Sequence, residues 1–343
     1  MAELAVGIIG LGRVGVSVGL ALREANATPA ASNHFQIIGM DSLASNESVA
    51  RRLNALDKTT NDVAEAVRDK DLVVVAVPYA QAREVYRTIA HHLRAGAVIF
   101  DLGALKQPPI QWAKEFFPPE VHLIGGTAVL NPALLWDGLD DSEHARADLF
   151  EDGTMFLAPA PNASKEAVAL VTRFSEILGA SVHYVDPAEH DGIHAATEGL
   201  PALVALAYFR ALATRSSWGD VQRLTNPSFG RATHHLLDTH PDDLHDMLIQ
   251  NRESLLPQLD QLLTALHGLR EVLAQNDRDA LEVATTDAEA RYSHWLKQRS
   301  QGKWDNMLDD TPEVSMTGSF LSGMLGGFLA ERIQGKGKNG KRR

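Results

Sequence analysis

Six consecutive residues, Gly10-Leu11-Gly12-Arg13-Val14-Gly15, have the spacing of a phosphate-cradling loop. In a G-x-G-x-x-G turn the first glycine permits the tight bend, the second lets a pyrophosphate approach the backbone, and the third lets a helix pack closely on a strand. The chemistry needs a strand before the motif and a helix after it, because unpaired N–H groups and the positive end of the helix dipole attract the phosphates. Leu4 to Ile9 supplies the apolar strand run and Val14 to Glu24 the helical pattern. Asp41 ends a second apolar run, Gln36 to Met40. A carboxylate there can accept both ribose hydroxyls and repels a 2′-phosphate, and no arginine follows before Arg51, which favours NAD over NADP. Val77-Pro78-Tyr79 closes a third run, Leu72 to Val77, and reads equally as a cofactor wall or as an ordinary strand exit.

Near the segments that carry a family resemblance, 101–106, 123–128, 189–201 and 240–251, the titratable groups available for proton transfer are His194, Glu198, His234 and His235. His194 and Glu198 stand four apart, so on an α-helix they share a face as a base with its orienter, or as a surface ion pair. Lys106 and Arg231 are the cations that could meet a substrate anion, or serve as structural tethers. Thr127 and Asn131 can hydrogen-bond a ligand but cannot act as bases near neutral pH. No metal site is expected: there is no cysteine, His234, His235, His240 and His245 do not line one helix face, and no H-E-x-x-H occurs.

These groups need a scaffold, and 343 residues are too many for one ordinary core. The first part alternates short apolar runs with helical patterns, the signature of β-α-β units. Further runs at Val98 to Leu102, Val121 to Ile124 and Thr154 to Ala158 bring the count to six strands, so the expected fold class is α/β, a Rossmann doubly wound, mostly parallel sheet. Ala25 to Asn33 and the acidic stretch Trp136 to Gly153 read as surface loops. Ala167 to Leu178 is a helix that Gly179 should stop, and Ser181 to Val185 is a last strand. Every strong pattern after Asp186 is helical. The expected organisation is therefore a dinucleotide-binding domain over 1–186, an all-helical substrate and dimerisation domain over 187–300, and a C-terminal extension over 301–343. Leu255, Leu259, Leu262, Leu266, Leu269 and Leu273 alternate spacings of four and three, a seam for bundle core or for a dimer partner, with Pro257 expected to kink or delimit the helix.

In the extension, Phe320-Leu321, Met324-Leu325 and Phe328-Leu329 form one greasy helix face ahead of Lys336, Lys338, Lys341, Arg342 and Arg343. Docking on a dimer partner is preferred to lying on an anionic membrane surface. A net charge of −12 argues against nucleic acid as a partner. No basic leader precedes the first strand and no apolar run reaches the roughly 18 residues of a membrane span, so a cytoplasmic location is expected.

Asp101-Leu102-Gly103-Ala104-Leu105-Lys106 resembles the D-x-G-S-x-K segment of prephenate and arogenate dehydrogenases. Leu123-Ile124-Gly125-Gly126-Thr127-Ala128 resembles their G-G-H-P strand, Glu189-His190-Asp191 their E-H-D helix start, Leu200-Pro201 the end of their S-H-L-P motif, and His240-Pro241 through Asn251 their D-P-x-x-W…N segment. The likeness runs from about Leu4 to about Leu296. It implies an NAD-dependent oxidoreductase of the tyrosine-biosynthesis type, a homodimer through the helical half, and Gly103 near the cofactor. Carried over by position, the family's catalytic histidine falls on Thr127, its assisting serine on Ala104, its S-H pair on Glu198-Gly199, its carboxylate-binding arginine on His235 and its pocket tryptophan on Leu244.

The expected activity is thus hydride transfer from a substrate to NAD, with Thr127, His194, Glu198, His235 and Lys106 as the residues available for catalysis and a carboxylate as the substrate class. The competing expectation is a catalytically inactive NAD sensor or interaction protein on the same scaffold. A β-hydroxyacid dehydrogenase with a helix lysine is disfavoured, because no lysine occurs between Lys165 and Lys297.

Overall fold

Val, Ile and Phe dominate the short runs Val73-Val74-Val75 and Ile99-Phe100, which are buried on both faces, as central strands of a parallel sheet must be. The computed structural model, which describes residues 2–28, 33–139 and 141–302, builds one sheet from eight such strands. They are β1 (Ala2–Ile9), β2 (Asn33–Met40), β3 (Lys58–Thr59), β4 (Leu72–Val75), β5 (Val98–Asp101), β6 (His122–Val129), β7 (Thr154–Pro159) and β8 (Ser181–Tyr184), in the spatial order β3-β2-β1-β4-β5-β6-β7-β8. All neighbours are parallel except β6 and β7, which pair antiparallel. The mostly parallel doubly wound sheet is as expected. β3 is an addition to it, too short and polar to announce itself.

Helices α1 (Arg13–Ala27), α2 (Ala44–Arg52), α3 (Val63–Val67), α4 (Tyr79–Ile89), α5 (Gln107–Phe116) and α6 (Lys165–Ile177) connect the strands. Alternate strand residues face opposite layers. Leu72, Val74, Phe100 and Ile124 pack with Val18 and Leu22 of α1 and Phe174 of α6. Val73, Val75, Ile99 and Leu123 pack with Tyr86 and Ile89 of α4 and Trp112 of α5. Gly179 does stop α6, at φ +91°, a backbone conformation that side chains with a Cβ rarely adopt.

After β8 the chain is helical throughout: α7 (Pro187–His194), a π-helical turn (Ala195–Gly199), α8 (Leu200–Ala213), α9 (Trp218–Val221), α10 (Pro227–Thr233), α11 (His235–Asp238), α12 (Pro241–Gln250), α13 (Arg252–Ala274) and α14 (Arg278–Gln301). Asp186 starts this half by accepting from the N–H groups of Ala188 and Glu189, with Pro187 in the first turn. Ala202, Leu244 and Met247 join the apolar layer of α4 and α5, so the helical half seats directly on one face of the sheet. Division of the chain into compact units falls after Val283; in the second unit the described residues are the rest of α14, where Tyr292 packs on Trp295.

Trp136 to Gly153 is not simply a surface loop, because Leu149 and Phe150 are fully buried and three short turns, Pro132–Leu134, Ser142–His144 and Ala147–Phe150, shape the segment and its approach. Pro257 does not delimit a helix: α13 runs through it from Arg252 to Ala274, at the loss of the hydrogen bond an N–H at 257 would give the Glu253 carbonyl. Of the leucine seam, Leu255 is buried while Leu266, Leu269 and Leu273 are exposed among the described residues, which leaves the dimer-partner alternative open. The apolar and basic extension, 303–343, lies outside the described residues. No helix among the described residues is long and apolar enough to cross a membrane.

Candidate active site

Ile9, Val75, Asp101 and Gly125 form one row across β1, β4, β5 and β6. Immediately beyond that row lies the carboxyl edge of the parallel strands, where open α/β sheets bind ligands. The glycine turn leaves β1 there. Gly10 adopts φ +95°, and a Cβ on it would sit 2.2 Å from the Ala76 carbonyl oxygen. A Cβ on Gly15 would meet the Gly10 carbonyl oxygen at 1.9 Å, whereas one on Gly12 would meet nothing within 4 Å. Two glycines are thus demanded by the protein itself, and the third faces open space at the N-terminus of α1.

Asp41 stands at the end of β2, where its carboxylate accepts from Leu11 N at 2.6 Å and Leu43 N at 2.8 Å. Each oxygen keeps a lone pair for a further donor. Arg51, the first cation after it, is engaged with Thr59 Oγ1 at 2.6 Å and with Glu47 at 3.6 Å. Leu11 is fully buried and Val14 packs on the core, so only their backbones can serve a ligand. Val77 lies against the Gly10 turn, and Pro78 caps α4.

Two residues expected at the cofactor are otherwise occupied. Arg13 is buried; its guanidinium pairs with Asp137 at 2.7 Å and donates to the carbonyls of Leu139 and His144, pinning the 137–144 segment beside α1. Tyr79 is buried, and its hydroxyl donates to Gln250 Oε1 at 3.0 Å, joining α4 to α12. Burial and the nearby Asp191 and Asp101 carboxylates push the phenol well up.

Lys106 also proves structural. It is 1% exposed, and Nζ donates to the carbonyls of Asp101 (3.4 Å), Gly126 (2.8 Å) and Gly103. Burial lowers its pKa to about 8, against the pull of Asp101 and Asp191. A substrate anion cannot reach this ammonium. Gly103 belongs to the same turn, its N–H donating to Asp101 Oδ1 at 2.6 Å, while Tyr86 donates to the other carboxylate oxygen. The paired glycines of β6 follow from this packing, since a Cβ on Gly125 would strike the Lys106 side chain and one on Gly126 the Phe100 ring.

Thr127, half-buried just past the row, has Oγ1 2.7 Å from His190 Nε2. His190 Nδ1 lies 2.9 Å from Asp191 Oδ1. Asp191 is 2% exposed and accepts from Lys106 N at 2.8 Å and Gln107 N at 2.9 Å, the amides that open α5, while its carbonyl accepts from Asn251 at 2.8 Å. A carboxylate so held keeps its orientation. Burial lowers His190, opposed by Asp191 and assisted by Lys106. His190 was not singled out as a site residue from sequence; the E-H-D segment was visible, but its partner Thr127 stands 63 positions away.

His194 packs 6.1 Å from His190, ring centre to ring centre, with Nδ1 buried and without a hydrogen-bond partner. Burial, the neighbouring His190 and Lys106 bring its pKa down to about 4, so the ring is neutral. Glu198, four positions on across a π-helical turn, is exposed where His194 is buried. Glu198 is open to solvent by area yet crowded by protein on its other sides, and that crowding raises its carboxyl, with His235 opposing and Asp238 reinforcing. His235 is half-exposed beside Asp238, 3.7 Å away. The structure therefore gathers Thr127, His190, Asp191, Lys106 and His194 in one cluster and sets Glu198 and His235 apart. Leu244 is buried between α12 and α4, and a Cβ on Gly199 would meet the Leu255 and Leu248 side chains. Among the described residues, no group of histidines and carboxylates could hold a metal ion.

Residues 24–184 match the model of the prephenate dehydrogenase nucleotide-binding domain, and residues 186–285 that of the prephenate dehydrogenase dimerisation domain. The chain belongs to the prephenate dehydrogenase family. Relatives of this family include the cyclohexadienyl dehydrogenase of Zymomonas mobilis, 28% identical over 80% of this chain and 90% of its own, and the prephenate dehydrogenase of Bacillus subtilis, 24% identical over 95% and 85%. The prephenate dehydrogenase of A. aeolicus, solved with hydroxyphenyl propionate and NAD+, shares the fold with a TM-score of 0.72 at 21% identity, covering 86% of this chain and 98% of that one. Synechocystis arogenate dehydrogenase superposes with a TM-score of 0.66 at 20% identity, covering 85% and 100%.

Proposed function

We propose that this family member is an NAD-dependent dehydrogenase acting on a carboxylate ring alcohol of the cyclohexadienyl type, with the usual substrate contacts replaced. The observation that carries the reading is the opening at Gly12, where the α1 N-terminus and the Asp41 carboxylate face free space at one sheet edge. When bound, NAD supplies the two-electron acceptor. The Gly10–Gly15 turn would hold its phosphates by backbone N–H groups, and Asp41 its ribose hydroxyls; the preoccupied Arg51 leaves nothing to welcome a 2′-phosphate. Thr127, Ala104, Glu198, Gly199, His235 and Leu244 stand where the family resemblance implies histidine, serine, serine, histidine, arginine and tryptophan. His194 and the Glu198–His235 rim are the remaining groups that could orient a ligand.

The dinucleotide half is assigned to 1–186 and the helical half to 187–300, in a cytoplasmic homodimer that covers the exposed Leu266, Leu269 and Leu273. The test is NADH formation from NAD with prephenate and with arogenate, beside calorimetric titration of NAD. Turnover with micromolar NAD affinity supports the proposal. A second reading, an NAD-binding protein without turnover, draws on the closure of position 199 by Leu255 and Leu248; tight NAD binding with no NADH from either acid would favour it.

A further inference from the structure

The row Ile9, Val75, Asp101 and Gly125 puts the glycine turn and Thr127 on the same edge of the sheet, three strand spacings or roughly 14 Å apart. Thr127 is the residue of the buried cluster that also meets the open side, while His190, Asp191 and Lys106 lie behind it with at most 5% exposure. Asp191 carries two backbone N–H donors, one on each oxygen, so its oxygens act as acceptors and Oδ1 accepts a hydrogen bond from His190 Nδ1–H. That choice of tautomer leaves Nε2 a bare lone pair, which must accept from the Thr127 hydroxyl 2.7 Å away. With its own hydrogen so committed, Thr127 Oγ1 presents lone pairs outward. It is a ready acceptor for a ligand hydroxyl.

We infer that His190 is the proton acceptor of the proposed oxidation, reached through the Thr127 hydroxyl, with Asp191 as its positioning residue. The inference rests on the dehydrogenase reading given above. For a ring alcohol bearing a C–H, the O–H bond breaks as C=O forms, and the carbon-bound hydrogen would leave with both electrons, which NAD held at the Gly10–Gly15 turn would accept. The hydroxyl proton goes to Thr127 Oγ1 while the proton already there goes to His190 Nε2. The imidazolium so formed lies against the Asp191 carboxylate, which favours the charge. Groups facing His190 are Asp191 on its own helix, Lys106 ahead of α5, Thr127 on β6 and His194 one turn on. The first favours the proton on the ring, whereas burial and Lys106 oppose it, which keeps the resting ring neutral.

Nitrogen-15 NMR of histidine-labelled full-length protein, with His190 assigned from its loss in His190→Gln, reads the tautomer without any substrate. A proton on Nδ1 is expected at neutral pH, and Thr127→Val should shift the Nε2 resonance; a proton on Nε2 overturns the inference. Kinetics with NAD and prephenate or arogenate give the second arm. Thr127→Val should lower kcat about 10²–10³-fold, with Thr127→Ser recovering most of it, and the double variant Thr127→Val/His190→Gln should be no slower than the slower single variant. The acidic limb of the kcat–pH profile should vanish in Thr127→Val. Undiminished kcat with an unchanged pH profile in Thr127→Val overturns the relay and leaves the dehydrogenase standing; no NADH from the unaltered chain, with the Nδ1 tautomer present, overturns the proposed reaction.

Discussion

The glycine motif makes opposite demands at two positions, and substituting alanine at each separates cofactor binding from folding. At Gly15 a Cβ would lie 1.9 Å from the Gly10 carbonyl oxygen, so α1 must retreat from the β1 exit by more than an ångström. Overpacking of that kind costs about 1–3 kcal/mol, or roughly 2–10 °C in melting temperature for a unit of this size. At Gly12 the new methyl meets no protein atom within 4 Å, and φ −69° with ψ −170° suits alanine, so stability should change by less than about 1 kcal/mol. The same methyl occupies the space in which a pyrophosphate would approach the backbone. Losing one or two charge-assisted hydrogen bonds, about 1.5–3 kcal/mol each, weakens NAD roughly 10- to 10⁴-fold. Calorimetry with NAD and thermal melts of Gly12→Ala and Gly15→Ala, run side by side, check both halves. The reasoning is refuted if Gly12→Ala binds NAD as tightly as the parent, or if it melts as early as Gly15→Ala.

Acid should destabilise the fold through His194: its pKa is about 4 when folded against an ordinary 6.5, so between those values the unfolded chain takes up a proton that the folded one refuses. The stability is fully present above pH 6.5, and about 3 kcal/mol of it is lost by pH 4. Urea titrations at pH 7 and pH 5 should show it, with His194→Gln flattening the difference. Arg13→Ala leaves Asp137 buried without its cation and releases two carbonyls, so stability should fall about 3–5 kcal/mol and limited proteolysis should newly cut within 137–146. Tyr79→Phe removes only the bond to Gln250, costing about 1 kcal/mol in a denaturant melt with unchanged NAD affinity; a large affinity loss would return Tyr79 to the cofactor site.

Local signals carried most of what could be foreseen. The order of strand, glycine turn, helix and Asp41 is written in adjacent residues, and Gly179 ends α6 where its type says it should. What could not be read depends on partners far along the chain. Arg13 looks like a phosphate neighbour until Asp137 arrives 124 positions later, and Lys106 looks like a free cation until β6 delivers the Gly126 carbonyl. His194 and Glu198 have the spacing for one helix face, but the fold buries His194 and leaves Glu198 exposed, which spacing alone does not reveal. Thr127 lacks the chemistry expected at its position when taken alone; the imidazole beside it comes from α7.

Asp191 has a mechanical consequence as well as a chemical one. Its carboxylate is fastened to the first turn of α5 and its carbonyl to Asn251, so the sheet-bearing half and the helical half are riveted where α7 begins. The Tyr79 hydroxyl on Gln250 and the Ala80 N–H on Asp243 fasten α4 to α12 in the same way, so the Thr127–His190 contact is framed by bonds from both halves and not held by one alone.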